Sequence, residues 1–493
     1  MGIDLGTASV KALIVDSQGG ICAQAGRGYS FKSPRYGWAE QNCDEWYEAV
    51  CEVSRKALSA FKGSAQQIKA VALSGQMHGL VPLDGNFTPV RNAILHCDAR
   101  SAAEVRFLAG FCAEKRLSIA DFNSVYTGFL LPSLLWLREN EPQNYAKIRH
   151  VCLPKDYVNC KLTGELGSDI SDASGTLAFD IENFCWSKQA LSALEIPEEW
   201  FPPCKSAAEA LGLISAKAAE ATGLCAGTPV AHGGADQVMQ ALGNGAVSPG
   251  DATLNIGSSA QICFQSGAPV KGAAAALNTF CGFERGAWIT MGAMMSAGIS
   301  MRWFAENIAP PGVNFAALDA QAAQLPAGSE GLFFHPYLNG ERSPHMNSAL
   351  RGAWTGLSFS TGMPHLARAI MEGVAYSLAW CMESCAEFGL GASEFIVSGG
   401  GAQSVLWRQI LADVFGSPLK IAEVSEQAAF GAAITAAAQA GFFGSAGEAS
   451  RAMARYKPER VEPDKKRAAF YKEQFLKFKA LGKMLNGFYE DKF

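Results

Sequence analysis

The sequence predicts an α/β fold made of two domains with a cleft between them. Three observations support this prediction. The chain has 493 residues, which is more than one hydrophobic core usually supports. Short apolar strands and helical segments occur in both halves of the chain. A strand-turn-strand pattern with glycine and hydroxyl residues in the turn occurs twice, half a chain apart, which indicates a duplicated unit. We place the first domain at residues 1–247 and the second at 248–493, because Ser248-Pro249-Gly250 immediately precedes the second copy.

The composition is that of an ordinary globular protein, with 49% hydrophobic and 18% charged residues. A net charge of -5 argues against a nucleic-acid-binding surface, which needs clustered basic residues. We expect a cytoplasmic protein without membrane association, because no apolar window of about 18 residues and no signal-peptide pattern occurs. The 14 cysteines are scattered, and those in apolar runs, such as Cys51, Cys263 and Cys381, are typical of buried free thiols. Cys385 lies at helical spacing from Cys381, but without histidine partners the pair does not indicate zinc.

The first copy of the repeated pattern opens the chain. A short strand carries Asp4, breaks at Gly6-Thr7 and resumes as a second strand, which is typical of a tight hairpin. Gly6 lets the backbone approach an anion, Thr7 offers a hydroxyl and Lys11 a positive charge, so the turn is a candidate phosphate loop. Asp4 is a candidate ligand for Mg²⁺, which takes one or two carboxylates plus phosphate oxygens. An ordinary hairpin with an incidental acid explains this stretch equally well when it is considered alone.

The second copy of the pattern runs from Asp251 to Phe264, and its turn is Gly257-Ser258-Ser259. Each half of the chain thus offers one loop to a nucleotide. Neither a G-x-x-x-x-G-K-[ST] loop nor a G-x-G-x-x-G run occurs in the sequence, so the prediction of nucleotide binding depends on the paired hairpins.

The segment Ile3-Asp4-Leu5-Gly6-Thr7 with Lys11, together with the second turn, resembles the two phosphate loops of the superfamily that contains sugar kinases, heat-shock chaperones and actin. Within it the chain resembles the FGGY carbohydrate kinases, and among these the members that act on xylulose. The resemblance implies two actin-like ATPase (ribonuclease H-like) domains. The first would hold the sugar and one phosphate loop, and the second would hold the other phosphate loop and the adenosine.

The resemblance also implies an activity. The chain is expected to use ATP and Mg²⁺ to phosphorylate D-xylulose on its terminal hydroxyl, giving D-xylulose 5-phosphate in xylose metabolism. Two alternatives remain: an FGGY kinase for another ketose or polyol such as ribulose, and a superfamily ATPase or silent sensor that phosphorylates no sugar. The expected partners are a small sugar and ATP, and the sequence leaves open whether the protein is a homodimer.

A candidate sugar site follows the buried strand predicted over 68–74. Gln76, Met77 and His78 lie between two glycines at the end of this strand, where ligands of open α/β sheets bind. Their side chains offer donors and acceptors for a polyhydroxylated sugar, although a lone histidine is more often structural. The Gln-Met-His-Gly sequence resembles the corresponding segment of the xylulose-specific members, which implies substrate binding.

Asp98 is a second candidate for contact with the sugar. Asp98 and Arg100 match the family pattern Trp-Asn-Asp-x-Arg, whereas His96 and Cys97 depart from it. The departures leave the identity of the sugar less certain than the class of kinase. The alternative for Asp98 is the N-cap of a helix predicted over 99–111.

The candidate catalytic residue is Asp236. A strand ends at Gly233-Gly234, and Asp236 then opens a helix predicted over 237–242. An aspartate at this point is a good N-cap, which the residues alone favour, and it is also an acid exposed on a sharp turn. Its resemblance to the Gly-Gly-x-Asp motif of the family implies a general base for in-line transfer and, with Asp4, a ligand for Mg²⁺.

The candidate adenosine site is the strand-turn-helix segment from Phe395 to Ser404. Gly400 and Gly401 allow an adenine ring to pack flat, and Gln403 is placed to bind the ring or the ribose. A plain tight turn is the alternative. Three further segments, 153–157, 168–176 and 337–345, resemble family segments near the cleft. We assign no chemistry to them, and the first two are predicted to line or stabilise the sugar cleft.

Overall fold

The computed structural model describes residues 1–490. The first half forms a five-stranded sheet with the spatial order β5-β4-β1-β2-β3. Its strands are β1 (Gly2–Leu5), β2 (Ser9–Val15), β3 (Ile21–Gly28), β4 (Ala72–Gly75) and β5 (Gly234–Ala235). The pairs β1–β2 and β2–β3 are antiparallel, whereas β4 runs parallel to β1 and β5 parallel to β4.

The second half forms a seven-stranded sheet with the order β8-β9-β7-β6-β10-β11-β12. Its strands are β6 (Ala252–Ile256), β7 (Ala260–Ser266), β8 (Asn278–Cys281), β9 (Trp288–Met294), β10 (Phe395–Ser398), β11 (Leu419–Ala422) and β12 (Tyr456–Val461). The strands β9-β7-β6-β10-β11 repeat the order and directions of β3-β2-β1-β4-β5. The predicted duplication is therefore confirmed at the level of sheet topology.

Helices pack against the sheets and against one another. They are Cys43–Ala60, Ala102–Lys115, Leu130–Asn140, Pro142–Tyr145, Pro154–Thr163, Ile170–Ser174, Lys188–Ala193, Ala216–Thr222, Asp236–Gly243, Gly298–Asn307, Phe315–Ala322, Met363–Glu387, Val405–Phe415, Gln427–Gln439, Ala446–Met453 and Lys465–Glu490. Short strands pair outside the two main sheets: Glu40–Gln41, Val81–Leu83, Ala93–Ile94, His150–Cys152, Ser168–Asp169, Phe179–Asp180, Cys185–Trp186, Cys204–Lys205, Ala210–Leu213, Pro229–Ala231, Phe333–His335 and Ala353–Thr355.

Local signals account for several element boundaries. The Asn42 side chain caps the first helix by accepting the Asp44 N–H at 3.0 Å. The strand predicted over 68–74 is wrong in its first half, because regular pairing with β1 begins only at Ala72. Val71 forms an isolated bridge with Val230 instead, so the chain before Ala72 runs beside the strand Pro229–Ala231.

The two halves meet where the helix Asp236–Gly243 packs against the helix Gln427–Gln439. A Cβ atom on Gly431 would lie 1.8 Å from the Met239 carbonyl oxygen, so only glycine permits this close approach. A Cβ on Gly243 would lie 2.2 Å from the Gln427 carbonyl oxygen. The helix that begins at Asp236 therefore packs closely against a helix of the second half.

Each half has its own hydrophobic core. One core contains Ile3, Trp46 and Leu73, and the other contains Leu254 and Val374. Within residues 1–490, no helix is both long enough and apolar enough to cross a membrane. The predicted buried thiols are confirmed, because Cys51, Cys263 and Cys381 are free and buried, and Cys385 is free and buried too.

Candidate active site

A cavity of about 400 Å³ is lined by residues from both halves of the chain. Five of its wall residues were predicted from the sequence: Thr7, Met77, His78, Asp236 and Ser259. Thr7 and Ser259 belong to the turns of the two hairpins, so both candidate phosphate loops contribute to one cavity. The structure thus brings the predicted base and two predicted sugar contacts together with the predicted phosphate loops.

A second cavity, of about 540 Å³, is lined by Gly257, Ser258, Gly400, Gly401 and Gln403, which are all predicted ATP contacts. Three consecutive residues of one turn join the two cavities: Gly257 and Ser258 line this one, and Ser259 lines the other. A molecule that fills the second cavity would therefore end beside the first.

Asp236 is the first residue of its helix, which spans Asp236–Gly243. The N-cap interpretation of Asp236 is wrong, because Ala235 holds that position and no side chain caps the helix. Burial, and to a lesser degree the Asp4 charge, raises the pKa of Asp236 to about 7, although hydrogen bonds from Gln237 oppose the rise. A carboxyl group with a pKa near neutrality is suited to accept a proton from an alcohol.

Asp4 lies on β1 and is a suitable ligand for a divalent cation. Its Oδ1 atom is enclosed and has no hydrogen-bond partner within residues 1–490. Burial raises the pKa of Asp4 to about 6, although the Ser74 hydroxyl and the Lys11 charge oppose the rise. An enclosed carboxylate oxygen without a partner is a suitable ligand for Mg²⁺, and the Asp4 charge acts on the carboxyl group of Asp236, the second candidate ligand.

Two predicted ATP contacts in the first hairpin do not line either cavity in the described structure. The Lys11 Nζ lies 2.5 Å from Glu426 Oε2, at the start of the helix Gln427–Gln439. The Gly6 carbonyl accepts the Tyr29 hydroxyl, and the Gly6 N–H donates to the Ser9 carbonyl at 3.0 Å. Thr7 is therefore the residue of this turn that lines the first cavity.

The His78 side chain makes two defined contacts within the protein, a hydrogen bond and a contact with an aromatic ring. Its Nδ1–H donates to the Gly175 carbonyl at 2.6 Å, and its ring centroid lies 4.1 Å from that of Phe129. Burial lowers the pKa of His78 to about 3, so the imidazole is neutral at physiological pH. Since Nδ1 carries the proton, Nε2 is an acceptor, which suits a sugar hydroxyl. His78 lines the cavity and has a positive φ of 72°, a conformation that histidine adopts more often than most residues do.

The remaining predicted sugar contacts lie behind the cavity wall. Gln76 is buried, and its Nε2 donates to Gln41 Oε1 at 3.0 Å. Gln41 in turn donates to the Thr7 carbonyl at 2.8 Å. Gln76 does not line the cavity, and its contacts support the first hairpin turn instead.

Asp98 also lies outside the cavity wall and is 1% exposed. Its carboxylate accepts the Ala39 N–H at 2.6 Å and pairs with the Arg100 guanidinium at 2.7 Å. The prediction of a sugar contact at Asp98 is thus not supported by the structure, because the chain's own donors occupy both oxygens. The N-cap alternative for Asp98 is wrong, since the helix begins at Ala102 and Ser101 holds the N-cap position.

The cavity wall also includes residues whose roles the sequence did not reveal. His96 and Cys97, which depart from the family pattern, line it. Arg342 reaches it from the segment 337–345, for which the sequence indicated a place near the cleft but no role. Gln261 and Asn278 lie on strands β7 and β8 of the second sheet, where no sequence signal marked them.

The fold and the cavities together define a class. Two sheets with the same strand order, each with a hairpin turn that reaches one shared cavity, are the architecture predicted for two-domain actin-like ATPases. Residues 1–243 match the N-terminal domain, and residues 252–440 the C-terminal domain, of the FGGY family of carbohydrate kinases. The chain belongs to this family.

Similar proteins cover nearly the whole chain. It is 33% identical to a xylulose kinase of Bacillus subtilis (strain 168) over 494 residues, which is 99% of each chain. It is 36% identical to a xylulose kinase of Escherichia coli (strain K12) over 419 residues, which is 85% of each. The crystal structure of xylulose kinase from Rhodospirillum rubrum is similar with a TM-score of 0.90 at 29% identity, over 99% of each chain. These likenesses confirm the predicted family and the predicted fold.

Proposed function

We propose that this protein transfers the γ-phosphoryl group of ATP to the terminal hydroxyl of D-xylulose in the cytoplasm, forming D-xylulose 5-phosphate. One observation carries the proposal: Asp236 and His78 share a cavity that adjoins the glycine-lined second cavity at Ser258 and Ser259. A sugar in the first cavity and ATP in the second would meet beside Asp236. The full-length similarity to xylulose kinases supports the choice of sugar.

In this proposal Asp236 orients the acceptor hydroxyl and takes its proton as the bond to phosphorus forms. His78 accepts a second hydroxyl through Nε2, because Gly175 holds Nδ1 as the donor. Asp4 and Asp236 would hold Mg²⁺, which would neutralise charge on the phosphate oxygens. Thr7 and Ser259 face the same cavity and would contact the phosphoryl group from opposite halves of the chain.

The choice of sugar is tested by measuring ADP release with a coupled assay across D-xylulose, D-ribulose, L-ribulose, glycerol and gluconate. The value of kcat/KM should be highest for D-xylulose, and ADP release without sugar should be slow. A higher kcat/KM for another compound would reassign the substrate within the family. Rapid ADP release that no sugar increases would reject the kinase proposal.

The lining of the second cavity leads to a prediction about ATP binding. A Cβ atom on Gly400 would meet nothing within 4 Å, so a leucine there can be accommodated by the fold while it occupies space in the cavity. Gly400→Leu should raise the KM for ATP about 5- to 150-fold, as expected from an overpacking cost of about 1–3 kcal/mol, and leave the KM for D-xylulose nearly unchanged. Gly391→Leu is the control, because Gly391 is similarly open but outside the cavity. Equal KM values for ATP in the two variants would contradict the assignment.

The shared cavity also predicts a change in shape. Phosphate loops on separate halves can both contact one nucleotide best when the two halves approach each other. Closure also excludes water that would compete for the phosphoryl group. The radius of gyration from small-angle scattering should fall when D-xylulose and a non-hydrolysable ATP analogue are added together. The same analogue with glucitol in place of D-xylulose is the control. An unchanged radius with the correct pair would count against closure.

A further inference from the structure

A buried charged cluster lies outside both cavities. Lys155, Asp156, Asp169 and Asp172 are all 0% exposed. The Lys155 Nζ lies 2.6 Å from Asp156 Oδ1, 3.1 Å from Asp169 Oδ1 and 3.8 Å from Asp172 Oδ2. Burying charged groups together is costly and is often no better for stability than apolar packing. The cluster therefore calls for an explanation beyond stability.

The cluster and its neighbours form hydrogen bonds to the turn that precedes Asp236. The Lys155 Nζ donates to the His232 carbonyl at 3.3 Å, and Asn159 donates to the same oxygen at 3.0 Å. The Ser171 hydroxyl donates to Asp169 and accepts the Ala235 N–H at 3.0 Å. The first residue of the turn 232–235 is thus hydrogen-bonded to the cluster directly, and the last is bonded to it through Ser171. Asp236 is the next residue.

The same segment also holds His78. The Gly175 carbonyl accepts the Nδ1–H of His78, and Gly175 directly follows the short helix Ile170–Ser174. This helix is anchored by Asp169, whose carboxylate accepts the Ser171 N–H at 2.8 Å and the Asp172 N–H at 3.3 Å. One short element therefore contacts the turn before Asp236 with Ser171 and the predicted sugar contact His78 with Gly175.

We propose that residues 169–175, anchored by the Lys155–Asp169 ion pair, are a positioning element that sets where Asp236 stands relative to His78. This inference rests on the proposed roles of these two residues. The positioning residues act through the turn 232–235 and through the His78 ring, and they do not line the sugar cavity. A misplacement of about 1 Å at a reacting group can cost on the order of a hundredfold in rate, so a buried rigid support has a catalytic consequence.

Ser171→Ala removes the acceptor of the Ala235 N–H and leaves the Asp169 cap on the helix in place. The kcat should fall at least about tenfold, while the KM for ATP stays within about twofold, because the second cavity is untouched. Thr222→Val is the matched control. The buried Thr222 hydroxyl likewise accepts a backbone N–H, from Leu224 at 3.2 Å, but lies in a helix that lines neither cavity. A folded Ser171→Ala variant with wild-type kcat would overturn the proposal, as would an equal loss of kcat in Thr222→Val.

A second readout does not depend on activity. Amide hydrogen exchange in the peptide that contains residues 232–236 should be faster in Ser171→Ala than in the wild type and unchanged in Thr222→Val. Should Ser171→Ala fail to fold, Ser171→Cys takes its place, because a thiol is nearly isosteric and a weaker acceptor. Unchanged exchange, or faster exchange with unchanged kcat, would overturn the positioning role. Failure of the proposed function is distinguishable, since the wild type would then show no sugar-dependent ADP release at all.

Discussion

Asp236→Asn is expected to lower turnover at least about a hundredfold, while the protein folds and still binds D-xylulose. The substitution keeps the shape of the side chain and removes its basicity. Transfer of a phosphoryl group passes through a loose transition state, so positioning and charge neutralisation supply most of the catalysis. A general base typically contributes about 10²–10⁴-fold, and this part of the rate should be lost.

The structure removes one alternative explanation for a loss of activity in this variant. Asp236 is not an N-cap, so a loss of activity in the asparagine variant cannot be ascribed to a lost cap. Asp44→Asn is a suitable control, because Asp44 is also an acid in the first turn of a helix but lines neither cavity. Turnover should be measured with saturating substrates, and the melting temperature should be recorded for both variants. Near-normal turnover in Asp236→Asn would reject its catalytic assignment.

His78→Ala is expected to raise the KM for D-xylulose about 5- to 150-fold and to change the KM for ATP little. The physical reason is the loss of an acceptor at Nε2, which leaves a bound hydroxyl without a partner at a cost of about 1–3 kcal/mol. The Gly175 carbonyl also loses its donor, so part of the effect reflects a less ordered cavity wall. The measurement is a pair of KM values from initial rates with each substrate varied in turn.

His150→Ala is the control for His78→Ala. The His150 ring packs 5.0 Å from the Phe87 ring and lines neither cavity, so its removal should leave both KM values nearly unchanged. The depressed pKa of His78 adds a pH criterion. A group with a folded pKa of about 3 stays neutral from pH 5 to 8, so its contribution to sugar binding should not vary in that range. Equal increases in the two KM values of His78→Ala would contradict a sugar-specific role.

Several features of the candidate site followed from local sequence. The two glycine-hydroxyl turns, Thr7 and Ser259 among them, were predictable because turn chemistry and alternating apolar residues are short-range signals. Asp236 was recognisable because an acid two residues after a pair of glycines, at a predicted strand-to-helix turn, resembles the Gly-Gly-x-Asp motif of the family. The glycine turn at Gly400 followed from the same kind of signal. Each of these residues lines one of the two cavities.

Other features depended on partners that are distant in sequence. Lys11 pairs with Glu426, 415 residues away, and no local pattern indicates that pair. Arg342 lines the same cavity as His78 and His96, although it belongs to a segment of the second half of the chain. The family motif at Asp98 likewise does not show that Arg100 and Ala39 are hydrogen-bonded to its carboxylate.

The sequence by itself determined each hairpin and the acid that opens the helix at Asp236, since these depend on residues close together in the chain. Chain length and the repetition of the hairpin pattern determined the two-domain α/β class. Only the tertiary structure decided which polar groups reach the cavity and which form hydrogen bonds with other groups inside the protein. A buried donor or acceptor takes whichever partner the packing places within about 3 Å, and packing is a property of the whole chain. For this reason Ser171 holds Ala235, and Gln76 supports Gln41, although no spacing in the sequence predicts either contact.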